Sequence, residues 1–321
     1  MNDPAHSPTP SEASDDNAGE HGGCYDTSFE AVVSHFGATS AVGEPAAGTT
    51  ATAVGDAERV WSRPLPFATT ASVQSMPAWH FESEAHEEAI SRLLFLVAQR
   101  QPAGVLTGAA GLGKTHVLAC VAADLRKSGA TVLPLELAGQ TGETLVDQAL
   151  RQAGLLASDD DALLVRLRRL TRWIEGELAC GGLVVLVDHL DRCDLSTRLV
   201  FDRLLCGADG GAVPTVLAAV TDAAAMPATH FGKFTSLQIE LSPLTLEETA
   251  RYLDAGIVAA DPAVMTPRFT REAVAALHER TGGNPRRLGE LARLAYAAGC
   301  SEALTELPAD LLTAVCETLA A

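Results

Sequence analysis

Gly108-Ala109-Ala110-Gly111-Leu112-Gly113-Lys114-Thr115 reads G-x-x-x-x-G-K-T, with the apolar run Gly104-Val105-Leu106-Thr107 in front of it and a helical pattern behind. A strand, a glycine-rich turn and a helix in that order form a phosphate-binding loop. The glycines let successive backbone N–H groups turn inward around a phosphate with no Cβ in the way. In such a loop the lysine, here Lys114, reaches the β- and γ-phosphates, and the hydroxyl of Thr115 takes a position on Mg²⁺. The helix opening near Lys114 adds its positive N-terminal end to the same anion site. The chain has only three lysines (Lys114, Lys127 and Lys233), so a lysine in this register is not a by-product of composition. The expected ligands are ATP and Mg²⁺, held by residues 108–115 and by His116, which follows them.

Outward from the loop, strands and helices alternate. Ala89, Leu93, Leu96 and Val97 repeat at helical spacing over about 83–100, ahead of a strand at 104–107. Behind the loop come a helix at 114–128, a strand at 131–137, helices near 142–154 and 160–179, and a strand at 183–187. A helix near 195–206 and strands at 214–220 and 236–241 complete the run. This interleaving predicts an α/β fold in three layers, a P-loop NTPase with a mostly parallel sheet. From about 243 the pattern turns helical throughout. Thr245-Leu-Glu-Glu248 is a capping box opening a helix with Leu246, Ala250 and Leu253 on one face. Further helices fit 270–280, 285–299 and 308–320. The expected division is a disordered acidic tail at 1–58, a nucleotide-binding α/β domain at 59–242 and a small all-helical lid domain at 243–321.

Leu183-Val-Val-Leu-Val-Asp188 is a buried-strand run ending in an acid. In phosphate-loop enzymes an acid there binds Mg²⁺ directly or through water, so Thr115 and Asp188 are the expected metal ligands. Many ATPases carry a Glu next, which polarises the attacking water. Here His189-Leu190-Asp191 follows, and a neutral imidazole can orient a water although no carboxylate stands in the usual place. Asp191 and Glu136 are the candidate replacements. Thr221 follows the strand run 216–220, where a polar residue can contact the γ-phosphate or the attacking water. Thr281-Gly-Gly-Asn-Pro-Arg-Arg287 ends one helix on its glycines and starts the next with Asn284-Pro285. Arg286 then projects from a first helical turn, with charge and donors suited to a γ-phosphate. His189, Asp191, Thr221 and Arg286 form the expected catalytic set, with hydrolysis slow or left open.

Composition narrows the partners. Apolar residues make up 47% of the chain and aromatics 5%, as in a globular protein whose helices pack through small side chains. Residues 1–58 hold ten acids and no Lys or Arg, and so carry −10 of the formal charge of −18. Such a segment buries too little apolar surface to offset its ordering entropy. Within it, 24–36 is a weak candidate for a short helix or partner-binding stretch. The acidity opposes indiscriminate nucleic-acid binding, which depends on positive surface. Seven cysteines, an odd number without a C-x-x-C pair, indicate neither a disulfide framework nor a zinc site. The sequence shows no signal peptide and no apolar stretch long enough to span a membrane, so a cytoplasmic protein is expected. The expected partners are a nucleotide and a protein that the sequence does not identify. A homo-oligomer is left open and nucleic acid is disfavoured.

With these residues in place, the chain resembles the AAA+ ATPases of the general secretion pathway protein A (ExeA) type. Those are related to the transposition-helper ATPases and more distantly to the origin-recognition ATPases. The resemblance covers about 61–300. It rests on Arg63-Pro-Leu-Pro-Phe67, Trp79-His-Phe-Glu-Ser-Glu-Ala-His-Glu-Glu-Ala89, the phosphate loop and Leu183–Asp188. Leu241-Ser-Pro-Leu-Thr-Leu-Glu-Glu248 and Gly283-Asn-Pro-Arg286 complete it. By that resemblance Thr221 matches the sensor-1 position and Arg286 the sensor-2 arginine. The family's Asp-Glu pair is Asp188-His189 here, and the stretch where an arginine finger is expected reads Thr229-His-Phe-Gly-Lys-Phe234. Val187-Asp-His-Leu-Asp-Arg-Cys193 also resembles the Asp-rich magnesium strand of KAP and STAND signalling NTPases, which act as nucleotide switches. These resemblances imply an ATP-dependent switch. The alternative they imply is a DNA-associated helper ATPase, of transposition or replication-loading type, that assembles on DNA.

Overall fold

Five apolar runs become strands: β1 (Ala103–Thr107), β2 (Thr131–Glu136), β3 (Leu183–Asp188), β4 (Thr215–Ala219) and β5 (Thr235–Glu240). All pair in parallel, in the order β2-β3-β4-β1-β5. The structure is a computed structural model that describes residues 72–73, 81–155, 161–180, 182–205, 214–221, 235–260 and 267–320. Expectations for the 1–58 tail, for 63–67 and for 229–234 lie outside the described residues.

Helices cover both faces of the sheet, and those between β1 and β4 supply the crossovers that parallel strands need. The helices are α1 (Glu84–Ala98), α2 (Lys114–Lys127), α3 (Gly142–Gln152), α4 (Leu163–Cys180) and α5 (Leu195–Leu205). With both faces covered, β3 is buried at all six positions, which is why its sequence is an unbroken apolar run. Its side chains alternate between two cores. Val185 and Val187 pack with Leu145, Leu170 and Phe201 of α3, α4 and α5. Val184 and Leu186 pack with Leu93 and Leu118 of α1 and α2. The three-layer α/β expectation therefore holds.

After β5 the chain forms α6 (Leu246–Ala260), α7 (Arg271–Thr281), α8 (Pro285–Ser301) and α9 (Ala309–Ala320) around a third apolar cluster. Two details differ from the sequence expectation. This segment is not wholly helical, because Arg268–Phe269 and Glu306–Leu307 pair as two short parallel strands, β6 and β7. The inward face of α6 is also partly misphased. Leu253 is in the core as expected, together with Tyr252 and Ile257, but Leu246 is half exposed. The cause is the capping box. Glu248 turns inward to accept hydrogen bonds from Thr245 N at 2.9 Å and from Glu84 N, on α1, at 3.1 Å, which rotates the apolar stripe away from Leu246. Among the described residues no helix is long and apolar enough to cross a membrane.

Candidate functional site

Beyond β1 the chain turns through Gly108, Gly111 and Gly113 at φ of 140°, 88° and 95°, a region that favours glycine. Space demands glycine as well. A Cβ on Gly111 would lie 2.5 Å from Asn284 Oδ1, and one on Gly113 would lie 2.7 Å from His86 Nε2. Helix α2 starts at once on Lys114, with Gly113 at the cap position and no side-chain cap. Its first-turn N–H groups are thus left for an anion. Lys114 Nζ donates to Gly108 O at 2.7 Å and to Ala109 O at 2.9 Å. Burial pushes its ammonium pKa down, against the opposing pull of Asp188 and Asp191.

Asp188 ends β3 and is almost wholly buried. Its Oδ2 accepts from the Thr115 hydroxyl at 2.5 Å, so the two expected metal ligands adjoin. Burial raises the Asp188 carboxyl above the usual range, with the Thr115 hydrogen bond opposing. His189 follows in a left-handed backbone conformation (φ 57°, ψ 40°), which His tolerates better than most residues. Parallel pairing sets Glu136, the last residue of β2, directly beside Asp188. Glu136 Oε1 lies 2.7 Å from His189 Nδ1. That hydrogen bond holds the imidazole above its ordinary pKa, although burial acts the other way.

Asp191 Oδ2 accepts a hydrogen bond from the backbone N–H of Thr221 at 3.0 Å. That bond ties the turn after β3 to the tip of β4. On the opposite wall, Asn284 caps α8 through Arg286 N and Arg287 N, with Pro285 in the first turn as expected. A cavity of about 650 Å³ is lined by Ala110, Gly111, Gly113, Lys114, Thr115, His116, Asp188, His189, Asp191, Thr221 and Arg286. Phe81 and Tyr252, in edge-on contact at 5.4 Å, line it too. All four expected catalytic residues and both metal ligands therefore meet in one place. Gly108, Ala109 and Leu112 stand behind the wall: the first two offer carbonyls to Lys114, and Leu112 is buried in the apolar cluster.

Two contributors escaped the sequence reading. His86, buried on α1, binds Leu112 O through Nε2 at 2.7 Å and so fixes the loop from below. Asn284 reaches the loop as well as capping α8, through Nδ2 to Ala110 O at 2.8 Å. Neither stands in a motif that names such a role. Thr115 and Asp188 offer a hydroxyl and a carboxylate, an oxygen-only donor set that suits Mg²⁺. The glycine cradle suits a phosphate, so the residues present fit a magnesium–nucleotide complex.

No family model matches the chain, and no curated protein sequence matches it. Solved structures are similar to it. The Orc1 protein of Aeropyrum pernix, solved in complex with DNA, is 15% identical at a TM-score of 0.58, over 74% of this chain and 66% of that one. Cdc6p from Pyrobaculum aerophilum is 15% identical at a TM-score of 0.55, over 72% of this chain and 66% of that one. The chain thus spans just under two thirds of either solved chain. Such low identity shows architecture only, and the sheet order, the loop and the helices that follow β5 are those of the AAA+ P-loop NTPase fold.

Proposed function

We propose that the chain is an Mg-ATP-binding AAA+ protein that works as a nucleotide-dependent switch, with slow hydrolysis. One observation carries this reading. Lys114 and the bonded Thr115–Asp188 pair share a cavity with a histidine at the position where a carboxylate would polarise water. In this reading Lys114 neutralises phosphate charge, and Thr115 and Asp188 hold Mg²⁺. Bound there, Mg²⁺ would supply further neutralisation of the triphosphate. Thr221 and Asp191 form the wall facing the γ-phosphate, and Arg286 reaches it from a lid comprising residues 243–321, set on an α/β domain at 59–242. The junction Pro243-Leu-Thr-Leu-Glu-Glu248 and Gly283-Asn-Pro-Arg286 support an ExeA-type assignment within the fold.

The test is calorimetric titration with Mg-ATP, followed by a turnover assay. Lys114→Ala should weaken binding by roughly ten- to a hundredfold, since it removes a charged hydrogen-bond donor. Wild-type turnover should lie near background, and His189→Glu should raise it by about a hundredfold if only a water-polarising carboxylate is missing. A purified wild-type protein that binds no nucleotide would sink the switch reading.

A DNA-associated helper ATPase is the second reading. The solved Orc1 is in complex with DNA, and α4 of this chain exposes Arg168, Arg169 and Arg172. The formal charge of −18 weighs against it. ATP-dependent retention on duplex DNA at moderate salt would replace the switch reading with this one.

A further inference from the structure

The first turn of α8 is bonded to the backbone of the phosphate loop. Asn284 Nδ2 donates to Ala110 O at 2.8 Å, and Arg286 N donates to Gly111 O at 3.3 Å. A capping Asn needs only its Oδ1, which here accepts from Arg286 N at 3.1 Å and Arg287 N at 3.3 Å. The amide end is surplus to the cap, and it is directed at a residue 174 positions away. Loop and side chain also touch, since no Cβ could fit between Gly111 and Asn284.

Peptide geometry turns this contact into a control on the cradle. Each peptide unit is planar and trans, so its C=O and N–H point in opposite directions. Holding Ala110 O toward Asn284 therefore turns Gly111 N–H away from Asn284. Holding Gly111 O toward Arg286 N likewise turns Leu112 N–H away from it, and that N–H donates to Ala109 O at 3.4 Å. These are the amide donors that surround a phosphate in a loop of this kind.

We propose that Asn284 is a positioning residue for the phosphate cradle. Its side-chain amide fixes the orientation of the Ala110–Gly111 peptide, so docking of the lid pre-organises the loop. The proposal rests on reading the loop as a nucleotide site, and it is separate from any contact of Arg286 with a γ-phosphate. The cradle serves phosphates common to di- and triphosphates, so losing Asn284 Nδ2 must weaken both ligands alike.

Asn284→Ser tests this, because Ser caps a helix as well as Asn does, lacks the amide donor and adds no charge. Asn284→Thr repeats the design with a second capping residue. Both variants should bind Mg-ADP and Mg-ATP about three- to tenfold more weakly than wild type, the worth of one neutral hydrogen bond. Arg286→Ala should lose affinity mainly for Mg-ATP. In the nucleotide-free protein, ¹⁵N relaxation should show a lower order parameter at the Gly111 amide in Asn284→Ser, a change that loss of a helix cap alone would not produce. Unchanged affinity for both nucleotides, or a loss confined to Mg-ATP, overturns the proposal while leaving the nucleotide reading intact. Absence of binding by the wild type removes both.

Discussion

At Gly113 a single hydrogen atom serves two neighbours, the phosphate loop and the His86 imidazole beneath it. The backbone there is left-handed at φ 95°, and a Cβ would meet His86 Nε2 at 2.7 Å. Gly113→Ala should therefore cost about 1–2 kcal/mol from the backbone conformation alone. Overpacking against His86 adds roughly 1–3 kcal/mol. Removing the imidazole relieves only the second part. In urea unfolding, the double variant Gly113→Ala/His86→Ala should be more stable than the sum of the single changes predicts, by about 1 kcal/mol. Strict additivity would mean that the two residues do not compete for the same space. The sequence names Gly113, Lys114, Thr115 and Asp188 because their chemistry sets their spacing. It assigns no role to His86, whose Nε2 lies 2.7 Å from Leu112 O, 26 residues away. It offers Glu136 only as one of two candidates, and strand register then puts it beside His189.

Among the elements, the start of α6 joins the two parts of the molecule through one carboxylate. Glu248 closes the capping box with Thr245 and also accepts from Glu84 N in the first turn of α1. Burial alone would raise its pKa, but the hydrogen bonds from Thr245 and Glu84 and the nearby Arg251 together hold it below the ordinary value. A carboxyl whose pKa is depressed on folding stabilises the protein above its unfolded pKa, and that stability is lost as pH falls through the folded one. Glu248→Gln should cost about 1 kcal/mol at neutral pH, the usual worth of a cap. The gap between wild type and variant should close as pH falls from about 4.5 downward. Denaturant midpoints measured across that range check it, and a gap independent of pH would assign Glu248 a packing role alone. The same residue explains a limit of the sequence reading. Helix and strand positions followed from periodicity and turn residues, and all five sheet strands lie close to where the apolar runs place them. The inward face of α6 followed only in part, because an inward carboxylate outweighs the position of Leu246, and its partner Glu84 is distant in sequence. The β6–β7 pair was equally out of reach, since two-residue strands carry no period.

For the whole molecule, the distribution of apolar clusters sets how nucleotide binding spreads. Two clusters flank the sheet, and the third belongs to the helices after β5. The named contacts of those helices with the phosphate loop and the start of α1 are Asn284 to Ala110, Arg286 N to Gly111 O, Glu84 N to Glu248, and Phe81 against Tyr252. Few of them are apolar, so each part keeps its own core and the coupling runs through the site. A ligand bound between two such parts stabilises both only if the second opens together with the first. At a hundred times its Kd, a ligand that binds only the closed form adds about 2.7 kcal/mol, roughly a hundredfold in an opening equilibrium. Saturating Mg-ATP should therefore slow amide exchange at Leu118 in α2 and, by a similar factor, at Leu277 in α7 and Leu288 in α8, all of them fully buried. In Lys114→Ala none of the three should respond. Slowing at Leu118 with Leu277 and Leu288 unaffected would show that the C-terminal helices open independently of the nucleotide, and a switch that signals through them would then have no physical link to its ligand.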